Sequence, residues 1–239
     1  MFKNIAKILT SHIVVKTIGL ANIAFVLFFL SVKDFGAVGD DSTADVAAIQ
    51  RAIDELYRDT DTTVSNDARA RRVLFFPAGT YKINASLTIP PFAHLVGEGP
   101  DKTIIKNSAS APAMVTEDDE GQTYGDIGDS SATTPTQIQI SNMTVRTTVA
   151  HGGLSIDNAT KVFVDNVKFQ GTFVSGGTDS SNSKGVTVRS TTALPCAYIV
   201  FNQCQFTGFA RLVDMSFDVT NVRFTNCDFN TAYYGAMLG

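Results

Sequence analysis

The fold is decided by the stretch Val162-Phe163-Val164-Asp165-Asn166-Val167-Lys168-Phe169, whose pattern occurs four times in the second half of the chain. The other copies are residues 138–145, 199–206 and 222–229, so successive copies begin 24, 37 and 23 residues apart. In each copy, apolar residues alternate with other residues on both sides of an Asn or Gln. A period near 23 residues is typical of a solenoid, in which each copy forms part of one coil.

The alternation within each copy predicts two short strands joined by a turn, with the apolar side chains facing one interior. The predicted inner columns are Val145, Phe169, Phe206 and Phe229, and Ile140, Val164, Phe201 and Phe224. At the turn, Asn142, Asn166, Gln203 and Asn226 are predicted to stack about 4.8 Å apart as a ladder of amides, because Asn tolerates left-handed backbone angles. The 37-residue step contains residues 175–184, which are rich in Gly and Ser and predict a loop.

The composition excludes several classes of protein. The chain has 239 residues, 44% of them hydrophobic, and a formal net charge of −4. This length supports a large core, and this balance of charge is typical neither of a disordered chain nor of a nucleic-acid-binding protein. The chain contains no Trp, which counts weakly against an open carbohydrate groove lined by indole rings.

The cysteines and histidines indicate neither a disulfide nor a metal site. Cys204 and Cys227 occupy equivalent positions in adjacent copies of the repeat, so we expect them to lie close together as free thiols. Cys196 lies just before a strand, and the three histidines follow no ligand spacing. No cofactor and no metal ion are expected.

Residues 1–31 form an apolar segment that differs from the rest of the chain. Lys3, Lys7 and Lys16 are its only charges, and the uncharged run 17–32 is shorter than the roughly 18 residues of a membrane-spanning helix. A signal peptide is an alternative, although no small-x-small cleavage pattern follows the apolar run. A membrane anchor is a second alternative. We favour an anchoring and assembly segment that packs against partner chains, followed by one domain over residues 32–239.

One helix is predicted, over about residues 44–57. Ser42 or Thr43 can accept a hydrogen bond at its N-terminus, and Asp45 favours its positive end. A single buried stripe is predicted from the spacing of Val46, Ile49, Ile53 and Leu56, while Gln50, Arg51, Asp54 and Glu55 take the solvent side. The stripe must lie against an apolar surface.

Four stretches in the first half of the chain resemble a known superfamily. They are residues 31–40 (SVKDFGAVGD), 47–54 (AAIQRAID), 73–81 (VLFFPAGTY) and 95–105 (LVGEGPDKTII). In order and spacing they resemble the pectate-lyase-like right-handed β-helix proteins, and within them the tailspikes and tail fibres of bacteriophages. The resemblance implies an all-β, right-handed parallel β-helix whose N-terminal mouth is capped by the short α-helix, and an assembly as a homotrimer.

Two further regions lack the repeat. Residues 108–135, with the acidic run Glu117-Asp118-Asp119-Glu120, predict a solvated lateral loop; a calcium or partner-binding insertion is the alternative, without a recognisable calcium-loop spacing. After Phe229, no segment is predicted to cap the last coil. An uncapped coil exposes strand edges, so we expect this end to meet partner chains or to derive from a longer ancestor.

Three acidic residues are candidates for catalysis: Asp214, Asp218 and Asp228. The resemblance implies that an enzyme of this kind would cut polysaccharides, and a glycosidase needs two carboxyl groups about 5 to 9.5 Å apart. Asp214 and Asp218 both point outward on the alternation, but four residues of straight strand would put them roughly 13 Å apart. Asp228 shares its outward column with Gln205 and Lys168, so that column holds a single acid.

Three hypotheses for the function follow. The first is a virion component, a trimeric β-helix spike or fibre that is fixed to other virion proteins by residues 1–31 and contributes to attachment to polysaccharide on the host surface. The second is a polysaccharide depolymerase, hydrolase or lyase, that is secreted or carried on a spike. The third is an adhesin that binds without cleavage. We favour the first, because it accounts for the apolar segment, the uncapped end and the missing carboxylate pair.

Overall fold

The computed structural model describes residues 30–57, 73–116, 135–178, 182–190, 195–215 and 218–238. Within these ranges the chain is a right-handed parallel β-helix with three faces and one α-helix, as predicted. Residues 1–29, which carry most of the predicted anchoring segment, lie outside the described residues, and so does the acidic run 117–120. No helix in the described ranges is both long and apolar enough to cross a membrane.

Each face is a parallel sheet whose strands come from successive coils. The first face contains β1 (Leu30–Ser31), β3 (Leu74–Phe76), β6 (His94–Gly97), the first halves of β9 (Thr136–Thr147) and β11 (Thr160–Gln170), β13 (Cys196–Asn202) and β15 (Val219–Thr225). The second face contains β2 (Asp40–Ala44), β4 (Gly79–Ile83), β7 (Thr103–Asn107), the second halves of β9 and β11, and the first halves of β14 (Gln205–Met215) and β16 (Asp228–Leu238). The third face contains β5 (Leu87–Ile89), β8 (Met114–Thr116), β10 (Leu154–Asp157), β12 (Lys184–Arg189) and the second halves of β14 and β16.

The predicted inner columns are confirmed by the strand register. Phe169 pairs with Val145 and Phe206, and Phe206 pairs with Phe229. The rings of Phe206 and Phe169 are stacked with centroids 5.2 Å apart, and those of Phe201 and Phe224 with centroids 4.8 Å apart. Such ring contacts stabilise a core beyond the burial of apolar area. The interior of the solenoid is therefore built from layers of side chains, one layer for each coil.

The amide corner between the first and second faces also forms as predicted. Asn142, Asn166, Gln203 and Asn226 all have left-handed backbone angles, with φ between 52° and 56°. The side-chain amide of Asn166 donates to Oδ1 of Asn142 over 2.8 Å. Each left-handed residue turns the chain sharply without a loop, so β9 and β11 continue through the corner from one face to the next.

The helix α1 (Val46–Tyr57) covers the N-terminal mouth of the solenoid. Its predicted stripe is confirmed, since Ile49, Ile53 and Leu56 are buried and Val46 is partly buried. Two side chains tie it to the coil beneath: the Gln50 amide exchanges hydrogen bonds with Thr88 in β5, and the Tyr57 hydroxyl donates to the carbonyl of His94. Burial raises the pKa of Tyr57 to about 12. Gln50 was predicted to face solvent, and this detail is wrong because its amide finds backbone partners on the third face.

Two local predictions are corrected. Ser42 and Thr43 do not cap the helix, because both lie within β2, where their amides donate to the Asp40 carboxylate. Asp45 directly precedes the helix, and its buried carboxylate accepts hydrogen bonds from Val38 and Gly39, which holds the preceding loop against the helix. The predicted lateral loop at 108–135 contains the buried strand β8, because Met114 and Thr116 continue the interior of the third face.

The last described coil is the least covered. Phe229 is 44% exposed and Tyr234 43% exposed, whereas Phe206, one coil earlier, is fully buried. Among the described residues, β15 pairs with β13 only and β16 with β14 only. The outer edges of β15 and β16 are therefore open along this coil.

Candidate functional site

The outward positions of the third face carry a concentration of charged and hydroxyl side chains. Ser155, Thr187 and Asp214 form one outward column, since Ser155 pairs with Thr187 and Thr187 pairs with Asp214. Asp157 and Arg189 form the next column, two residues further along the same strands. Successive coils lie about 4.8 Å apart, so these side chains lie close together, and with Lys184 and Arg211 we call them the third-face cluster. Ser155 and Asp157 are buried, and the other members are partly exposed.

Asp157 is the most buried charged member of the third-face cluster. Its two carboxylate oxygens accept from Nε of Arg189 at 2.8 Å and from Nη2 at 2.6 Å. The hydroxyl of Ser155 donates to Oδ1 over 2.9 Å, and the side chain of Asp157 is only 9% exposed. A bidentate Arg–carboxylate pair fixes both side chains more firmly than a single hydrogen bond does. Asp157 is thus a fixed anion whose charge is matched by Arg189.

Asp214 is the second acid of the cluster. Its Oδ2 forms an ion pair with Nζ of Lys184 on the preceding coil and lies 3.8 Å from Nη1 of Arg211. The three side chains are between 18% and 24% exposed, so solvent reaches all of them. The backbone amide of Arg211 donates to the carbonyl of Ser183 over 2.9 Å, which holds β14 in register at this point.

The three predicted catalytic acids lie at different places. Asp214 is in the third-face cluster, and Asp218 follows the end of β14 at a left-handed position with φ of 52°. β14 ends at Met215, and residues 216–217 lie outside the described residues, so the separation of Asp214 and Asp218 stays a prediction. Asp228 is exposed on the second face beside Gln205, as predicted. The catalytic role of the three acids also stays a prediction.

Asp157 and Asp214 are not arranged as a glycosidase pair. Two coil spacings and two residues of strand put their Cα atoms about 12 Å apart. Retaining and inverting glycosidases keep their carboxyl groups roughly 5 to 9.5 Å apart, with one group protonated and one free to act. Here each carboxylate is engaged by its own cation, so the cluster is suited to binding charged and hydroxyl groups of a ligand.

Sequence reasoning missed Asp157, Arg189 and Lys184, although a signal was present. Residues 154–157 (LSID) and 186–189 (VTVR) share the order apolar, hydroxyl, apolar, charged. Aligned as adjacent strands, the two stretches place Ser155 beside Thr187 and Asp157 beside Arg189, as the register does. The strands are only four and six residues long, so this pattern is weaker than the eight-residue repeat.

The cysteines are placed as thiols within the core. Cys196 and Cys204 are buried, Cys227 is partly buried, and all three are free, as predicted. Burial raises the pKa of the Cys196 thiol to about 11 and that of Cys204 to about 12, so both stay protonated at neutral pH. Across the described parts of the chain, no group of three His, Cys, Asp or Glu side chains is placed to hold a metal ion.

The family model "Rhamnogalacturonase A/epimerase, pectate lyase-like" matches residues 29–238. The chain belongs to this pectate lyase-like family. The match covers every described strand, and it agrees with the resemblance read from the first half of the sequence.

Individual relatives carry enzyme names. The chain is 26% identical over 221 residues to a "Probable glucan endo-1,3-beta-glucosidase" from Arthroderma benhamiae, which covers 86% of this chain and 23% of the relative. It is 40% identical over 83 residues to "Mannuronan C5-epimerase AlgE2" from Azotobacter vinelandii, which covers 32% of this chain and 7% of the relative. The chain thus spans less than a quarter of the length of either pectate lyase-like relative.

A solved structure of the same architecture is the tailspike protein gp49 of Acinetobacter baumannii bacteriophage Fri1, described as a capsular polysaccharide depolymerase. The TM-score is 0.56 with 15% identity, over 84% of this chain and 34% of the tailspike chain. At this identity the likeness shows a shared β-helix fold. The described residues of this pectate lyase-like chain form about seven coils of that fold.

Proposed function

We propose that this chain is a bacteriophage virion component, a β-helix tailspike or tail-fibre protein that binds acidic polysaccharide of the host surface on its third face. The proposal includes a homotrimer and attachment to other virion proteins through residues 1–31. The observation that carries the binding function is the third-face cluster. Membership of a pectate lyase-like family and the tailspike architecture support the assignment to a spike or fibre.

The charges of the cluster favour an acidic glycan. Among the described residues of this face, Lys184, Arg189 and Arg211 contribute three positive charges, and Asp157 and Asp214 contribute two negative charges. The acids hold the cations in place on neighbouring strands rather than competing for the ligand. Long side chains that are already oriented lose less conformational entropy when they bind, so a sugar carboxylate gains more from this surface than from mobile lysines.

The binding function is tested with soluble polymannuronate and polygalacturonate in affinity gel electrophoresis. The wild-type protein should be retarded by both polymers, and Lys184→Gln should lose most of the retardation. Lys102→Gln is the matched control, because Lys102 is 60% exposed and pairs with Glu98 away from the third face. Equal retardation of the two variants would remove the third-face cluster as the binding site.

The virion assignment is tested by deleting residues 1–29, which leaves β1 intact. The deleted protein should fold and bind polysaccharide but should no longer be found in purified particles. Native mass spectrometry of the undeleted protein should give a trimer. Normal incorporation of the deleted form into particles would contradict the anchoring role.

A polysaccharide depolymerase is the second candidate, in which Asp214, Asp218 or Asp228 acts as an acid and the protein is secreted or carried on a spike. It is favoured by the 26% identity with the glucan endo-1,3-β-glucosidase, which extends over 86% of this chain. Release of reducing ends from a polysaccharide, lost in Asp214→Asn or Asp228→Asn, would establish it. Asp228 is exposed, so Asp228→Asn should leave the melting temperature unchanged and separates catalysis from stability.

A further inference from the structure

The first face carries two exposed aromatic rings on adjacent strands. Phe163 of β11 points outward and is 43% exposed, and Tyr198 of β13 is 58% exposed. Phe163 pairs with Val200, two residues after Tyr198, so Tyr198 is its diagonal neighbour. Diagonal neighbours on adjacent strands have Cα atoms about 7–8 Å apart, within reach of aromatic side chains. The two rings therefore border one small apolar surface.

Tyr198 also occupies an unfavourable backbone position. Its φ is 59°, in the left-handed region. Equivalent positions on neighbouring coils are also left-handed, and they hold Gln137, Lys161 and Asn221. Bulky residues are rarely found there, whereas Asn adopts this conformation readily. Tyr198 therefore combines a strained backbone with an exposed ring, and strain of this kind is found at binding sites more often than elsewhere.

Polar side chains surround the two rings. Gln139 pairs with Phe163 on the preceding coil and is exposed. Two residues beyond the rings, the Asn202 amide donates to Oδ1 of Asp165 over 2.6 Å, and this pair also faces outward. The surface thus offers apolar rings to one side of a ligand and hydrogen-bonding groups around its edge.

The size of this surface argues for a small ligand. Two half-exposed rings and one valine provide far less area than the roughly 800 Å² that each partner contributes to a stable protein interface. A sugar ring has one apolar C–H face and a rim of hydroxyl groups, which matches rings bordered by amides and a carboxylate. Lys161 is exposed beside Tyr198 on the preceding coil, and Arg223 pairs with Val200 on the following coil. Cations therefore border the rings, and the stacking contact itself does not depend on the charge of the sugar.

We propose that Phe163 and Tyr198 form a stacking site for one sugar ring of a glycan, on the first face and separate from the third-face cluster. The inference rests on the proposed function in taking a glycan as ligand, but it uses other residues and another kind of contact. It gives the solenoid two glycan contacts on different faces, one made by charged side chains and one by ring stacking.

The test titrates laminarihexaose and maltohexaose, two neutral glucose hexamers, into the full chain and follows binding by calorimetry and saturation-transfer NMR. At least one hexamer should bind, and Tyr198→Asn and Phe163→Thr should each weaken binding on the order of tenfold, because each removes about half of the covered ring area. Tyr198→Asn should melt at the same temperature as wild type or higher, because Asn suits the left-handed position. Tyr233→Asn is the matched control, since Tyr233 is 52% exposed on β16, and it should bind like wild type.

Three results would overturn this site. The first is no binding of either hexamer while acidic polymers still bind through Lys184, which leaves the proposed function standing. The second is hexamer binding that Tyr198→Asn leaves unchanged. The third is a lower subunit number of Tyr198→Asn in native mass spectrometry, which would make the surface a contact between copies of the chain. Loss of binding to both neutral and acidic polymers in the wild type would instead reject both glycan functions.

Discussion

The same substitution at two positions of one inner column should lower the free energy of unfolding by very different amounts. Phe206 is fully buried and lies between the rings of Phe169 and Phe229, at centroid distances of 5.2 and 5.0 Å. It also meets Phe201 and Phe224 edge-on. Phe229 is one coil further, is 44% exposed and touches only Phe206 and Phe224 among the described rings. The perturbation is Phe206→Ala, with Phe229→Ala as its matched control.

The magnitudes follow from burial and ring contacts. A fully buried Phe→Ala substitution costs about 3–5 kcal/mol, and each well-placed aromatic pair adds about 0.5–1.5 kcal/mol beyond burial. With four ring partners, Phe206→Ala falls at the upper end, about 5 kcal/mol. Phe229 keeps nearly half of its surface in water and has two partners, so Phe229→Ala costs about 2 kcal/mol. For a domain of this size the melting temperature falls by about 10–20 °C and 4–8 °C respectively.

Urea unfolding followed by circular dichroism measures both free energies. Phe206→Ala should lower the midpoint with an unchanged slope against urea, whereas a reduced slope in Phe229→Ala would report fraying of the last coil alone. A difference between the two variants of less than about 1 kcal/mol would refute the layered core as the source of stability. A larger cost at Phe229 would mean that the last coil is covered in solution.

Three further predictions concern other parts of the molecule. Asp157→Asn should lower the free energy of unfolding by about 3 kcal/mol, because it leaves the Arg189 guanidinium without its counter-charge, and thermal melting in low and high salt measures this. Asn166→Ala should lower the free energy of unfolding by about 2 kcal/mol, because it removes one hydrogen bond and places an alanine in the left-handed region. Asn166→Gly should lower it by less in the same urea assay. Equal losses in the two variants would contradict the role of the backbone angle. Burial raises the pKa of Cys196 to about 11 and that of Cys204 to about 12. The free energy of unfolding should therefore be constant below pH 9 and should fall as the pH rises towards 11 and 12. Cys196→Ala should remove about 3 kcal/mol of this fall between pH 9 and pH 11.

The sequence predicts the first and second faces in detail because one rigid feature links them. The left-handed amide at the corner leaves no variable loop, so the positions of Phe201 and Phe206 within the repeat determine their columns. The apolar stripe predicted the helix itself, and the resemblance in residues 31–105 implied its position at the N-terminal mouth.

The third face is less predictable because the connections that precede it vary in length. Six residues separate β9 from β10, thirteen separate β11 from β12, and β14 passes from the second face to the third without interruption. The sequence spacing of Asp157, Arg189 and Asp214 therefore carries no regular period, although they lie in neighbouring columns. The left-handed, exposed position of Tyr198 was missed for a different reason, because a tyrosine in the sequence does not indicate a left-handed backbone angle.

The pairing of each strand only with the coil before and the coil after it sets an order in which the chain can fold during synthesis. The helix and the coils next to it leave the ribosome before the later coils, so they can close the N-terminal mouth of the solenoid while those coils are still being made. Every later coil then needs only the surface just completed as its template, with no wait for distant sequence. At each stage one layer of apolar side chains is still uncovered, so a pause in translation within the phenylalanine-rich coils would expose the rings most able to cause aggregation.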